Sequence, residues 1–169
     1  MKKDLKILIA TLIFSVVLIV GFAALFGGKE EEEVIVAGQK VEGIEVNPGF
    51  FDLGDVPING GLVTKEYEIK NSTSNTLRLK KITTSCMCTK ASFEIGETKT
   101  KFFGMEGHGD KNPPVNIEIS GGQTGKVVVQ FDPAAHGPQG TGLFDRSIFL
   151  TFSDPAGVKE LKFNGTVVK

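Results

Sequence analysis

The run Ile7–Phe26 constrains the chain more than any other feature: it holds twenty residues and no charge. A helix rises about 1.5 Å per residue, so a run of this length spans roughly the 30 Å hydrocarbon core of a bilayer. Lys2, Lys3 and Lys6 precede it, while Lys29 and the acidic run Glu30–Glu33 follow it. Positive charge gathered before the segment puts the N-terminus in the cytoplasm and everything after Gly28 outside the plasma membrane. The competing reading is a cleaved signal peptide, whose apolar region runs about 7–15 residues and ends in a small-x-small site. Here the run is longer, and Gly21-Phe22-Ala23-Ala24-Leu25-Phe26-Gly27-Gly28 is a poor site of that kind. The sequence therefore predicts a cytoplasmic tip and retained transmembrane anchor over residues 1–28. Residues 29–43 turn to charge and small side chains, and the self-repelling acidic run predicts a flexible linker there.

Residues 44–169 carry a different pattern. They contain ten of the thirteen Phe, most of the 21 Gly and no Trp, a composition that suits short strands joined by tight turns. Val63, Tyr67 and Ile69 alternate with Thr64, Glu66, Glu68 and Lys70, the period of a half-buried strand. After the turn-forming Asn71-Ser72-Thr73-Ser74-Asn75, Leu77, Leu79 and Ile82 resume the pattern, predicting a hairpin with the strand before it. Val127, Val129 and Phe131 alternate likewise, as do Ile148, Leu150 and Phe152. A turn follows at Asp154-Pro155-Ala156-Gly157, and Leu161, Phe163, Gly165 and Val167 share one face of the last strand. With Ile44–Val46, Phe50–Leu53, Thr89–Phe93 and Ile117–Ile119, seven to nine strands are expected, with no amphipathic helices between them. The expected fold is an all-β, immunoglobulin-like antiparallel β-sandwich. Gly61-Leu62-Val63-Thr64-Lys65 faintly echoes Gly142-Leu143-Phe144-Asp145-Arg146, and each is read as opening a hairpin.

Charge narrows the function. Setting aside Lys2, Lys3, Lys6 and Asp4 leaves sixteen basic and nineteen acidic groups, a formal charge of −3. No basic stripe exists to displace counterions from phosphates, so nucleic-acid binding is excluded. No glycine-rich turn opens a helix, so a phosphate-binding loop is excluded as well.

Phe51-Asp52-Leu53-Gly54, then Asn71, then Thr84-Ser85-Cys86-Met87-Cys88-Thr89, then Gly122–Asp132 occur in an order that resembles the bacterial domain of unknown function 1573 family, over about residues 44–168. Its most specific element is the Cys-x-Cys-Thr stretch, where the family often has Gly between the cysteines and this chain has Met87. The resemblance implies an extracytoplasmic immunoglobulin-like sandwich, similar in build to the major-sperm-protein-like domains that mediate protein contacts. It implies no activity.

Cys86 and Cys88 are the only cysteines. On a strand their Cα atoms would lie roughly 6.5–7 Å apart, at the limit of bridging geometry, so a disulfide would need a tight turn and would be readily reduced. That favours a thiol-disulfide redox pair over a structural staple. The alternative is a soft metal, copper or zinc, held by the two thiolates with Met105 and His108 from the glycine-rich loop Met105-Glu106-Gly107-His108-Gly109-Asp110. His136, in Asp132-Pro133-Ala134-Ala135-His136-Gly137-Pro138, is a further candidate ligand and equally a turn residue. Inert thiols at a sheet edge are the third possibility. A Cys88 nucleophile served by His108 and Asp110 has no oxyanion hole to complete it, so an enzyme is not expected. Phe102 and Phe103 suit either a protein partner or the core. The sequence thus predicts a membrane-anchored binding domain with a protein partner and a candidate soft-metal site at Cys86, Cys88, Met105, His108 and His136.

Overall fold

The computed structural model describes residues 39–107 and 111–169, together with Leu12, Phe14, Ser15, Val17 and Leu18. Those five are helical and exposed. Among the described residues no helix is long and apolar enough to cross a membrane, and the rest of the expected span 7–26 lies outside them. The chain divides into two compact units, Met1–Val34 and Ile35–Lys169.

The second unit is a sandwich of two five-stranded sheets. Its strands are β1 (Ile44–Asn47), β2 (Phe50–Pro57), β3 (Val63–Asn71), β4 (Leu77–Thr84), β5 (Thr89–Ile95), β6 (Thr98–Lys99), β7 (Ile117–Ile119), β8 (Thr124–Phe131), β9 (Gly142–Asp154) and β10 (Ala156–Val168). Sheet I has the order β1-β3-β8-β5-β6, and sheet II the order β2-β10-β9-β4-β7. The alternation read from the sequence decides which side chains meet between them. Tyr67, Ile69, Val127, Ile148, Leu150 and Phe152 are all fully buried. Phe103 joins the core while Phe102 stays half-exposed. Ile82 is buried three residues after Leu79, against a period of two, because the β4–β9 register shifts between Leu79 and Lys81 and the bulge resets the face. Tyr67 ties the sheets together: its hydroxyl donates to the Lys162 carbonyl at 2.7 Å, and its ring meets Phe51 edge-on at 4.9 Å.

Two expectations need correction. The sandwich is not wholly antiparallel, since β2 runs parallel to β10, with Phe51 opposite Phe163 and Val56 opposite Val167. The two strands come from opposite ends of the domain, so no short turn fixes their relative direction. The β3–β4 hairpin is also absent, because these strands lie in different sheets. The chain crosses between layers after Asn71, whose buried amide makes the corner. Its Nδ2 donates to Asn75 O at 2.7 Å and Ile119 O at 2.8 Å. Its Oδ1 accepts from Thr73 N at 3.0 Å and from Thr73 Oγ1 at 2.7 Å. The expected turn before β10 is present, with Ser153 opposite Ala156 in the β9–β10 hairpin. Gln39–Val41, within the expected linker, lies against β10: Val41 N donates to Val158 O at 3.3 Å and Val158 N donates to Gln39 O at 2.8 Å.

Candidate metal centre

Two sheet crossings converge at one end of the sandwich. One leaves β4 in sheet II and enters β5 in sheet I; the other leaves β8 in sheet I and enters β9 in sheet II. The first carries Cys86 and Cys88, which sit in a turn and not on a strand. Thr89 N donates to Cys86 O at 3.1 Å and closes the turn. The buried Thr84 hydroxyl lies 3.0 Å from both the Cys86 and the Thr89 carbonyl oxygens. Both layers fix this turn. Ser85 N donates to Ser147 O at 2.9 Å, Ser147 N returns a bond to Ser85 Oγ at 2.9 Å, and Asp132 N donates to Cys88 O at 2.8 Å.

The second crossing delivers His136. Asp132 shapes it, its carboxylate accepting from Ala134 N at 2.9 Å, a local bond of the kind that makes Asp a turn former. Gly137 N donates to Ala134 O at 2.8 Å, and a single 3-10 turn follows at Gly137–Gln139. His136 Nε2 thereby comes 3.2 Å from Cys86 Sγ. The Cys86, Cys88 and His136 ligand atoms all lie within 4.8 Å of one another. Both thiols are free, Cys88 buried and Cys86 half-buried, while His136 is exposed.

A fourth side chain closes the inner flank. Arg146 Nε donates to Cys88 Sγ at 3.2 Å, its Nη1 donates to Asp145 O at 2.8 Å, and its guanidinium carbon lies 5.8 Å from the Phe144 ring centre. Phe144 stacks on Phe131 at 4.4 Å, and Phe163 meets both rings edge-on. Burial raises the Cys88 thiol above its ordinary pKa, and its hydrogen bond with Cys86 adds to the rise; the bonds from Arg146 and Thr89 pull the other way. In chemical terms the arrangement offers two sulfurs and one imidazole nitrogen on one side, open to solvent through His136, with a cation behind.

Of the candidates named from the sequence, Cys86, Cys88 and His136 come together. Met105 is half-buried next to Gly104, whose carbonyl accepts from Thr84 N at 3.3 Å. His108 lies outside the described residues, as does Asp110. Among the described residues, the imidazole within reach of a thiol is that of His136, and the thiol it meets is that of Cys86. Arg146 is the site residue that the sequence reading missed. Its signal was present in the pattern: it stands at an inward register position between Phe144 and Ile148, where a strand of this kind otherwise buries apolar side chains.

Residues 44–101 match the family model described as "Protein of unknown function (DUF1573)", in agreement with the resemblance carried by the Cys-x-Cys-Thr stretch. The match takes in β1–β6 and both cysteines, and ends before His136 and Arg146. No curated protein sequence matches the chain. Among solved structures, a protein of unknown function from Porphyromonas gingivalis W83 superposes with a TM-score of 0.51 at 20% identity, covering 73% of this chain and 46% of that one. This chain thus spans about half the length of that protein, and the likeness bears on the fold alone. A family 123 glycoside hydrolase from Clostridium perfringens gives a TM-score of 0.49 at 10% identity, covering 72% and 23%. A PapD-like domain of human CEP192 gives 0.42 at 14%, covering 75% and 86%.

Proposed function

We propose that the chain is a membrane-tethered extracytoplasmic binding domain of immunoglobulin-like build, whose Cys86, Cys88 and His136 bind one soft metal ion, copper or zinc, and present it to a protein partner. The observation that carries this reading is the approach of His136 Nε2 to within 3.2 Å of Cys86 Sγ from a crossing fifty residues away. A histidine placed only to complete its own turn has no reason to face a thiol pair from a different loop. Thiolate and imidazole donors together select Cu(I) or Zn(II) over the hard divalent ions. The tether is supported by the uncharged run 7–26, and the extracytoplasmic position by the lysines that precede it.

The test is metal content by mass spectrometry of the full-length chain, purified in detergent under reducing conditions and reconstituted with copper or zinc. Near-stoichiometric metal in the wild type, lost in Cys86→Ser/Cys88→Ser and reduced in His136→Ala, is the expected outcome. Equal metal in all three proteins, or none in any, sinks the reading. The second reading is a thiol-disulfide redox pair, favoured by two free cysteines drawn into one turn. It predicts reversible oxidation to an intramolecular disulfide, with function lost in either single cysteine variant whether or not metal is present.

A further inference from the structure

We infer that the triad is built for a monovalent ion, Cu(I), and that Arg146 is the positioning residue that balances its charge. This rests on the metal reading above and narrows it to one ion.

Two features bear on copper against zinc here. The first, the donor count, admits copper without a further ligand, while zinc would need solvent to complete its set. Cys86, Cys88 and His136 are the only Cys, His, Asp or Glu side chains gathered at this point among the described residues. Protein zinc centres take four ligands almost without exception, filling the fourth place with water when the protein supplies three. Cu(I), softer and of lower charge than Zn(II), is satisfied by two sulfurs and a nitrogen.

The second feature is charge. Two thiolates, a neutral imidazole and Cu(I) sum to −1; with Zn(II) in the same place they sum to zero. Arg146 brings one positive charge to 3.2 Å from Cys88 Sγ, and it is held there by Asp145 O and the Phe144 ring. The copper centre with Arg146 is therefore neutral, which suits a pocket whose inner sulfur is buried, since an uncompensated buried charge is costly. The zinc centre with Arg146 carries a surplus positive charge next to a divalent ion. No residue of the triad offsets it.

The outer side of the site points to what the ion is for. Met87, between the two cysteines, is 47% exposed, and His136 is exposed as well. A Cu(I) ion there lies within reach of a second protein's soft donors, so the partner expected is one that gives or takes Cu(I) by exchange of sulfur ligands.

Affinities measured by competition with a chromogenic Cu(I) chelator and a chromogenic Zn(II) chelator test this on the full-length, reduced chain. Wild type, Arg146→Met and Arg146→Lys are compared. The wild type should bind one Cu(I) more tightly than Zn(II). Arg146→Met should weaken Cu(I) by about tenfold, the scale of one charge a few ångström away in a partly screened site, and leave Zn(II) unchanged or tighter. Arg146→Lys, which keeps the charge, should recover most of the Cu(I) affinity. Equal weakening of both metals in Arg146→Met, or no weakening of either, overturns the charge-balance role, as does Zn(II) binding more tightly than Cu(I) in the wild type. Those outcomes leave a metal site standing. Failure of the wild type to bind either metal removes the site and this inference with it.

Discussion

Gly140 leaves no space beside His136: a Cβ placed on Gly140 would stand 2.9 Å from His136 Cβ. The backbone there is ordinary, with φ −79°, so alanine fits the chain conformation and only the contact is wrong. The nearest atom it meets is the first of the imidazole side chain, with the Gly137 carbonyl oxygen next at 3.3 Å, so relief displaces the loop that aims His136. Gly140→Ala should weaken metal binding by roughly tenfold in a chelator competition, while its thermal midpoint stays within a few degrees of wild type.

Asp132 acts on the same loop from the other side. Asp132→Ala removes the acceptor for Ala134 N but leaves the backbone bond from Asp132 N to Cys88 O. The turn loses one local constraint and His136 gains freedom. Metal affinity should fall several-fold, with a loss of about 1 kcal/mol in chemical denaturation.

The buried Cys88 thiol gives the metal-free protein a dependence on pH. Its pKa is raised in the fold, so the folded protein keeps a proton that the unfolded chain releases. Stability is then full below the ordinary thiol range near 8.5, and falls as pH rises through that range toward the folded value. Denaturation of the metal-free protein at intervals from pH 7 to pH 10 should show that decline, and Cys88→Ala should flatten it. An unchanged slope in the variant would assign the decline to other groups.

Asn71 is a polar position whose side chain is fully engaged. Asn71→Ala removes the side-chain donor to the Ile119 carbonyl and the acceptor for Thr73 N in one step, while the Asn75 carbonyl keeps the Thr73 hydroxyl at 3.1 Å. Losing the buried bond to Ile119 and the half-buried one from Thr73 N is costly, and about 2 kcal/mol of stability should be lost. Tyr67→Phe is milder, since it removes only the bond to Lys162 O and keeps the ring. About 1 kcal/mol is expected, read as a lowered denaturation midpoint with unchanged slope.

These positions also show how far the sequence could be read. Alternation identified the buried faces around Tyr67, Val127, Ile148 and Phe163 because a strand's period is intrinsic to its backbone. It could not say whether β3 and β4 share a sheet, because a chain that turns back and a chain that crosses over present the same alternation; Asn71 fixes the crossing, by a bond to Ile119, forty-eight residues away. The site was legible to a similar depth. The cysteine pair is visible in one stretch of sequence, and His136 stood among several candidate ligands. That His136 is brought to Cys86 follows from two crossings meeting at one end of the sandwich, a fact of topology. Arg146 was detectable as a charge in an apolar register, but its partner was not.

The lateral bonds between Gln39–Val41 and Val158 have a mechanical meaning. The bridge of Lys40 to Val158 is parallel, so a pull directed along it loads the two bonds side-on and they share the load instead of opening one after the other. The force then passes into β10, which β2 and β9 flank on either side. A pull on the lead-in is thereby spread through the interior of a sheet before it reaches the crossings that hold Cys86, Cys88 and His136.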